Sequence, residues 1–177
     1  MPGYIMDLRK LVGHRTLMQC AASIIIVNEK NQILLGKRTD NHKWGYAGGS
    51  IELDEKVEDC ARRELFEETG LIADEIEFFM VNSGPEVHYV YPNGDEVSNI
   101  EIIYVCRKYH GELKRQEEEI EELKFFNIAE VELDNISPPI RPVVKRFIEQ
   151  NSVQMKCIFS EFNKPFITHF SKFLGKC

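Results

Sequence analysis

Positive charge is in short supply: 22 Lys and Arg stand against 29 Asp and Glu, a formal charge of −7. That balance argues against a nucleic-acid duplex or a membrane surface as the main partner. It leaves small phosphorylated ligands open, because a bound cation reverses the local field. Cysteine is sparse, and Cys20, Cys60, Cys106, Cys157 and Cys177 form no CxxC pair. An odd, scattered set fits reduced thiols in a cytoplasmic protein rather than a disulfide framework or a zinc site. None of the five histidines has metal-ligand spacing. The longest apolar run, around AASIIIV, is far too short to span a bilayer. The N-terminus shows no basic-then-apolar signal pattern. Internal repeats and low-complexity stretches are missing as well. The expectation is a soluble cytoplasmic chain with no membrane partner.

What is there suffices for one domain and a sizeable core: 177 residues, 43% of them hydrophobic. Met1 to Gly13, within an N-terminal segment 1–17, reads as a short helix or arm. Cys20 to Val27, with its β-branched SIIIV run, reads as a buried strand. NEKNQ is a turn and ILLGKR a second strand, so the pair predicts a hairpin. TDNHKWGYAGG is a Gly-rich loop. IEFFMVNS, EVHYVYP, EVSNIEIIYVCRKY and ELKFFNI read as further strands, with a tight Pro-Asn-Gly-Asp turn among them. Ser137-Pro138-Pro139 starts a helix whose Ile140, Val143, Val144, Phe147 and Ile148 lie on one face. A mixed α/β sheet with helices on both faces is the natural packing.

The tail, 151–177, differs. It carries four lysines and one glutamate, a net +3, which leaves the first 150 residues at −10. Phe159, Phe162, Phe166, Phe170 and Phe173 recur at spacings of three and four, with Asn163, Pro165 and Gly175 as helix boundary residues. A helix docked on its own domain is the plain reading; a homodimer contact and membrane association are the alternatives.

The stretch GGSIELDEKVEDCARRELFEETGL, Gly48 to Leu71, holds eight acidic residues. It predicts a helix over Glu55–Thr69 closed by Gly70. With Val57 at zero and about 100° per residue, Cys60, Ala61 and Leu65 form an apolar stripe. Glu64 falls near −20° and Glu68 near +20°, inside it, while Glu67 sits at a margin near −80°. A buried, isolated carboxylate costs several kcal/mol. Clustered ones repel and raise one another's pKa. Arg63 can balance only part of that charge. Hard divalent cations prefer carboxylate oxygens, and Glu side chains at i, i+3 and i+4 share one region of a helix. A solvated acidic helix end is the competing reading, and periodicity alone does not separate the two.

The spacing adds more. Gly49, Glu55, then Arg63-Glu64-Leu65-Phe66-Glu67-Glu68-Thr69-Gly70-Leu71 fills the pattern G-x5-E-x7-R-E-U-x-E-E-x-G-U, with U aliphatic. In this the chain resembles the MutT-like Nudix hydrolase superfamily over residues 18–150. The resemblance implies a Nudix fold, an α/β/α sandwich around a mixed β-sheet. It implies metal-dependent hydrolysis of a pyrophosphate bond in a nucleoside diphosphate linked to another moiety. A nucleoside triphosphate and a nucleotide sugar such as ADP-ribose are both open as the substrate. It further implies that Glu64, Glu67 and Glu68 hold Mg²⁺ or Mn²⁺, that Arg63 orients a ligand by ion pairing, that Glu55 is a lesser or structural member, and that Gly49 and Gly70 shape the loop and helix end. One departure is Ala47, where many relatives have Pro before the two glycines.

The general base is expected in the run from Gln116 to Glu122, with Glu119 preferred, Glu118 second, and Glu101, inside a strand, third. Lys37 and Arg38 are candidates to reach a phosphate. Tyr89 or Tyr91 could stack on a base, and Trp44 packs the loop. The alternative reading is a non-hydrolytic module of the same fold that senses a nucleotide or binds a protein. The small-molecule substrate is the expected partner in either case where a ligand is bound.

Overall fold

The computed structural model describes residues 3–162. A short helix α1 (Tyr4–Val12) precedes strands β1 (Leu17–Ile26), β2 (Gln32–Arg38), β3 (Trp44–Gly45) and β4 (Ala47–Ser50). Helix α2 (Val57–Thr69) follows, then the long strands β5 (Leu71–Val90) and β6 (Glu96–Gly111), strand β7 (Ile120–Asn127), three single 3-10 turns and helix α3 (Arg141–Phe162). The helix read over Asn163–Gly175 and the phenylalanines Phe166, Phe170 and Phe173 lie outside the described residues.

The strands form a four-stranded sheet, β4-β1-β6-β5, and a three-stranded sheet, β3-β2-β7. The larger sheet is mixed: β1 runs parallel to β6 and antiparallel to β4, and β5 is antiparallel to β6. Strand β1 sits between two neighbours, so its apolar residues are covered on both faces, as a continuous hydrophobic run requires. Successive side chains point to opposite faces. Ile24 and Ile26 join Cys60, Ala61 and Leu65 of α2 in one core. Ile25 joins Val143, Val144 and Phe147 of α3 in the other. The result is an α/β/α sandwich with one helix on each side.

The expected β1–β2 hairpin is not formed. The two strands lie in different sheets and share strand-type pairing only at the bridge between Val27 and Ile33, although their side chains pack in the same cores. The NEKNQ turn is real: the Asn28 side chain accepts from the backbone N–H of Lys30 at 3.0 Å and of Gln32 at 2.9 Å. Beyond it, ten residues of β1 pair with β6 instead. A buried strand gains more from two long-range partners than from its chain neighbour. IEFFMVNS and EVHYVYP are one strand, interrupted by a register shift between Ser83 and His88 around Gly84, whose φ is +105°. The C-terminal helix begins with a 3-10 turn at Pro138–Ile140 before α3 proper, and its Val143, Val144 and Phe147 are buried as the periodicity requires.

Gly48 shows how closely the sheet is built. It pairs with Ser23, and a Cβ added there would lie 1.9 Å from Ser23 Oγ and 2.8 Å from Ser23 Cα. The Ser23 backbone cannot move without shifting β1. Gly48→Ala is therefore expected to destabilise the fold by about 1–3 kcal/mol, read as a lower urea midpoint at unchanged slope.

Candidate active site

Helix α2 carries the acids. It starts at Val57, two residues after the expected Glu55, and ends where Gly70 adopts the left-handed conformation at φ 73°. A Cβ at Gly70 would stand 2.6 Å from the Glu112 carbonyl oxygen. That close approach lets the loop after β6 fold over the helix end. Lys114 N–H donates to Thr69 O at 2.8 Å, and Gln116 N–H to Glu68 O at 3.3 Å. At the loop's far end, Thr39 N–H donates to Glu119 O at 2.9 Å. Glu119 is thus held near the last turn of α2, although its side chain is exposed.

The helix faces follow the angular reading. Cys60, Ala61, Leu65 and Glu68 are buried, Glu68 at 6% exposure. The Glu64 side chain is 15% exposed and that of Glu67 50%. Burial pushes the Glu68 carboxyl up to about 8, and the charges of Glu64 and Glu119 add to the effect. Burial also raises Glu64, with contributions from Glu67 and Glu119. The opposing influences on Glu68 are the charge of Arg38 and a hydrogen bond from the Gly48 backbone.

Arg63 is the hub of the opposite edge. Its Nε and Nη2 donate to the two oxygens of Glu55 at 2.7 and 2.9 Å. Its Nη1 reaches Glu64 at 2.6 Å and Glu67 at 3.2 Å, and Nη2 the Ser50 carbonyl at 3.2 Å. The fork from Arg63 holds the Glu55 carboxyl down at about 2. Glu55 also accepts from Glu52 N–H at 3.0 Å, so it fixes the loop before α2 and turns Arg63 toward the acids. Gly49 completes the corner. A Cβ there would meet the Glu64 carboxyl at 2.4 Å, so only glycine lets β4 and Glu64 approach this closely.

The donor chemistry suits a hard cation: clustered carboxylates, two of them shielded from water, with less positive charge nearby than negative. Among the described residues, however, no three His, Cys, Asp or Glu side chains are grouped closely enough to hold an ion as they stand. Arg63 pairs with Glu64 at 2.6 Å and with the half-exposed Glu67 at 3.2 Å, while Glu68, whose carboxyl is raised by burial and by the charge of Glu64, has no arginine paired with it among the described residues.

A cleft leads away from Glu68, lined by Gly48, Gly49, Arg38, Tyr89, Tyr91 and Glu101, among others. Arg38 lines it while gripping Asp40 through Nε and Nη2, both at 3.0 Å. Lys37 does not line it, because alternation along β2 turns it the other way, to an ion pair with Glu121 at 2.9 Å. Tyr89 and Tyr91 pack edge-to-face with centroids 5.0 Å apart. Trp44 packs edge-on against Phe126 at 4.7 Å. Glu118 is exposed, and its carbonyl accepts from the Thr39 hydroxyl at 3.0 Å. Glu101 is not on α2: it is buried in β6 and lines the same cleft, where Ser23, Tyr46 and Asn82 donate to it. Sequence reasoning missed those three partners. The small residues Ala21, Ala22 and Ser23 in an otherwise bulky strand were the available sign of an open space beside β1.

The family model for the NUDIX domain matches residues 18–147. A relative from Vibrio parahaemolyticus serotype O3:K6, the NAD-capped RNA hydrolase NudC, is 30% identical over 132 residues, 72% of this chain and 45% of the relative. The NudC of Vibrio cholerae serotype O1 is 29% identical over 132 residues, covering 72% of this chain and 43% of its own length. The chain thus spans less than half the length of these curated relatives. Among solved structures, a MutT NUDIX hydrolase from Burkholderia pseudomallei superposes with a TM-score of 0.61 at 22% identity, over 73% of this chain and 97% of that one. The fold, the filled pattern from Gly49 to Leu71 and the match over most of the chain agree, and the chain belongs to the Nudix hydrolase superfamily.

Proposed function

We propose that this chain hydrolyses a pyrophosphate bond in a nucleoside diphosphate linked to another moiety, with Mg²⁺ or Mn²⁺ as cofactor. The observation that carries the reading is the pair Glu64 and Glu68. Both are shielded from water on a helix face that also makes core, and both are held above the ordinary carboxylate range. A fold has no structural use for two such groups side by side, since each destabilises the other. A divalent cation resolves the conflict. Glu64, Glu67 and Glu68 would hold it, and it would supply charge neutralisation and a more acidic water.

The chain's own groups supply the rest. Arg38, in the cleft beside Glu68, draws the phosphate chain in. Arg63, braced by Glu55, fixes the direction of Glu64 and holds Glu67 until the site fills. Glu119 takes the proton from a water as its oxygen forms a bond to phosphorus and the bridging P–O bond breaks, which releases a phosphate ester. Glu119 suits that task because its loop is tied to the end of α2 while its carboxyl stays in contact with solvent. Gly49 keeps the loop close enough for the phosphates to reach the acids.

A panel of nucleoside triphosphates, nucleotide sugars and nucleoside diphosphates, incubated with Mg²⁺ or Mn²⁺ and assayed for phosphate, pyrophosphate or monophosphate release, tests this. At least one member is expected to be cut, with turnover abolished by EDTA and restored by Mg²⁺. Silence across the panel with folded protein and metal present would favour the non-hydrolytic sensing module.

A further inference from the structure

Glu101 has no role in the chemistry just described, yet it is a buried carboxylate, 8% exposed, flanked in its strand by Ile100 and Ile102. Ser23 Oγ donates to its Oε1 at 2.6 Å; Tyr46 OH and Asn82 Nδ2 donate to its Oε2 at 3.1 and 3.5 Å. All three donors are neutral, and no salt bridge reaches Glu101 among the described residues. A carboxylate oxygen can accept more than one hydrogen bond. Nearby on the same strand, Asn99 Oδ1 is buried and accepts from nothing. Both residues line the cleft that starts at Glu68. The part of the cleft around Glu101 and Asn99 therefore offers hydrogen-bond acceptors that the protein leaves partly or wholly unfilled, and a buried acceptor without a donor is costly.

The shape of the cleft here is also specific. Gly48, Ala21 and Ser23 are small, so the sheet surface beside Glu101 is flat. Tyr89 and Tyr91 stand at its side. A flat floor with aromatic walls suits a planar ring, which stacks on such side chains with little loss of freedom. The ring edge that meets the floor must bring donors. Guanine presents two adjacent ones, N1–H and the N2 amino group. Adenine and cytosine each place a bare ring nitrogen, itself an acceptor, beside their amino group. Uracil and thymine flank one N–H with two carbonyl oxygens.

We propose that Glu101 and Asn99 read the base of the substrate, and that they select a guanine-type edge with adjacent N–H donors. The inference rests on the reading that the cleft takes a nucleotide. Burial pushes the Glu101 carboxyl up, the donors from Ser23, Asn82 and Tyr46 oppose that push, and the base would supply the remaining donors. Asn82 locks the arrangement by also donating to the Pro139 carbonyl at 3.1 Å, which ties the floor to the segment before α3.

Calorimetric titration of the wild-type protein with GMP and with AMP, both in the presence of Mg²⁺, tests this without any need for turnover. GMP is expected to bind at least about tenfold more tightly, the scale of one buried group left unpaired. Glu101→Gln keeps the size of the side chain, and the Ser23 and Tyr46 hydroxyls can rotate to accept from its amide. Its oxygen and amide then match adenine, so the GMP-over-AMP ratio is expected to collapse to about one or below. Asn99→Ala removes the unpartnered acceptor; it is expected to melt no lower than wild type and to lose several-fold of GMP affinity while AMP affinity holds. If Glu101→Gln does not fold, the Asn99→Ala ratio decides. Equal binding of GMP and AMP by the wild type, or an equal loss for both nucleotides in the variants, would overturn the inference. A guanine preference in a protein that hydrolyses nothing in the nucleotide panel would sink the hydrolase reading and leave this one intact. Hydrolysis without regard to the base would do the reverse.

Discussion

Glu68→Gln is expected to lower the turnover of any hydrolysed nucleotide by roughly 10²–10⁴-fold, the range in which removal of one positioned charged group acts. The residue is the most enclosed of the acids on α2, and its carboxyl accepts from the Gly48 backbone, so the substitution removes charge while the hydrogen bond and shape persist. Glu119→Gln is expected to cost a comparable factor as the proton acceptor. The two are separable by a measurement that ignores catalysis. Saturating Mg²⁺ should raise the melting temperature of the Glu119→Gln protein as it does wild type, because a ligand bound only by the native state stabilises it. The Glu68→Gln protein should show little of that rise. A Glu68→Gln protein that turns over normally, or a Glu119→Gln protein with full activity, would remove the corresponding role.

The second large effect concerns the metal-free protein and its pH dependence. Glu68 is held at about 8 against an ordinary 4.5, so between those values the native state binds more protons than the unfolded one. Stability then falls as pH rises through that window. At pH 8.5 the cost is on the order of several kcal/mol, at about 1.4 kcal/mol per unit of displacement. That is a large share of a typical total of about 5–15 kcal/mol. Glu55 acts in the opposite sense. Its carboxyl is held at about 2 by Arg63, so its contribution is fully present above 4.5 and is lost only as pH falls toward 2. Thermal melts in EDTA are therefore expected to show a decline from pH 5 to pH 8.5. Glu68→Gln should flatten that decline and melt higher at pH 8.5 by on the order of 5–10 °C. Wild type and variant melting together across this range would show that Glu68 carries no such penalty. An enzyme that becomes more stable as it loses activity is the common pattern where function requires groups in unfavourable surroundings.

Helix α2 was legible from residue order because its information is local. The i, i+3, i+4 spacing of Cys60, Ala61, Glu64, Leu65 and Glu68 fixes which of them share a face, and the structure buries Glu68 as that spacing requires. Glu67, read as marginal, is half-exposed and engaged by Arg63. The partnership of Lys37 with Glu121 was not legible, because it depends on the register of β2 against β7, and that register is set by residues some 80 positions away in the chain. The hairpin failed for the same reason. A turn such as NEKNQ specifies a reversal of direction, but the choice between Ile33 and Tyr104 as neighbours of the SIIIV run is made by β6. The Glu101 network was the least accessible of all. Its donors come from β1, from the segment before β4 and from β5, and no short stretch contains two of them.

Strand β1 divides its side chains between two cores, with Ser23 falling on the same face as Ile25, that of the α3 core, and touching both Gly48 and Glu101. A slip of one position along β6 would exchange Ile24 with Ile25 and carry the serine hydroxyl to the wrong side. On the proposed reading of Glu101, the register of two parallel strands then governs nucleotide recognition as well as packing, so the same slip would disrupt both cores and the base site together.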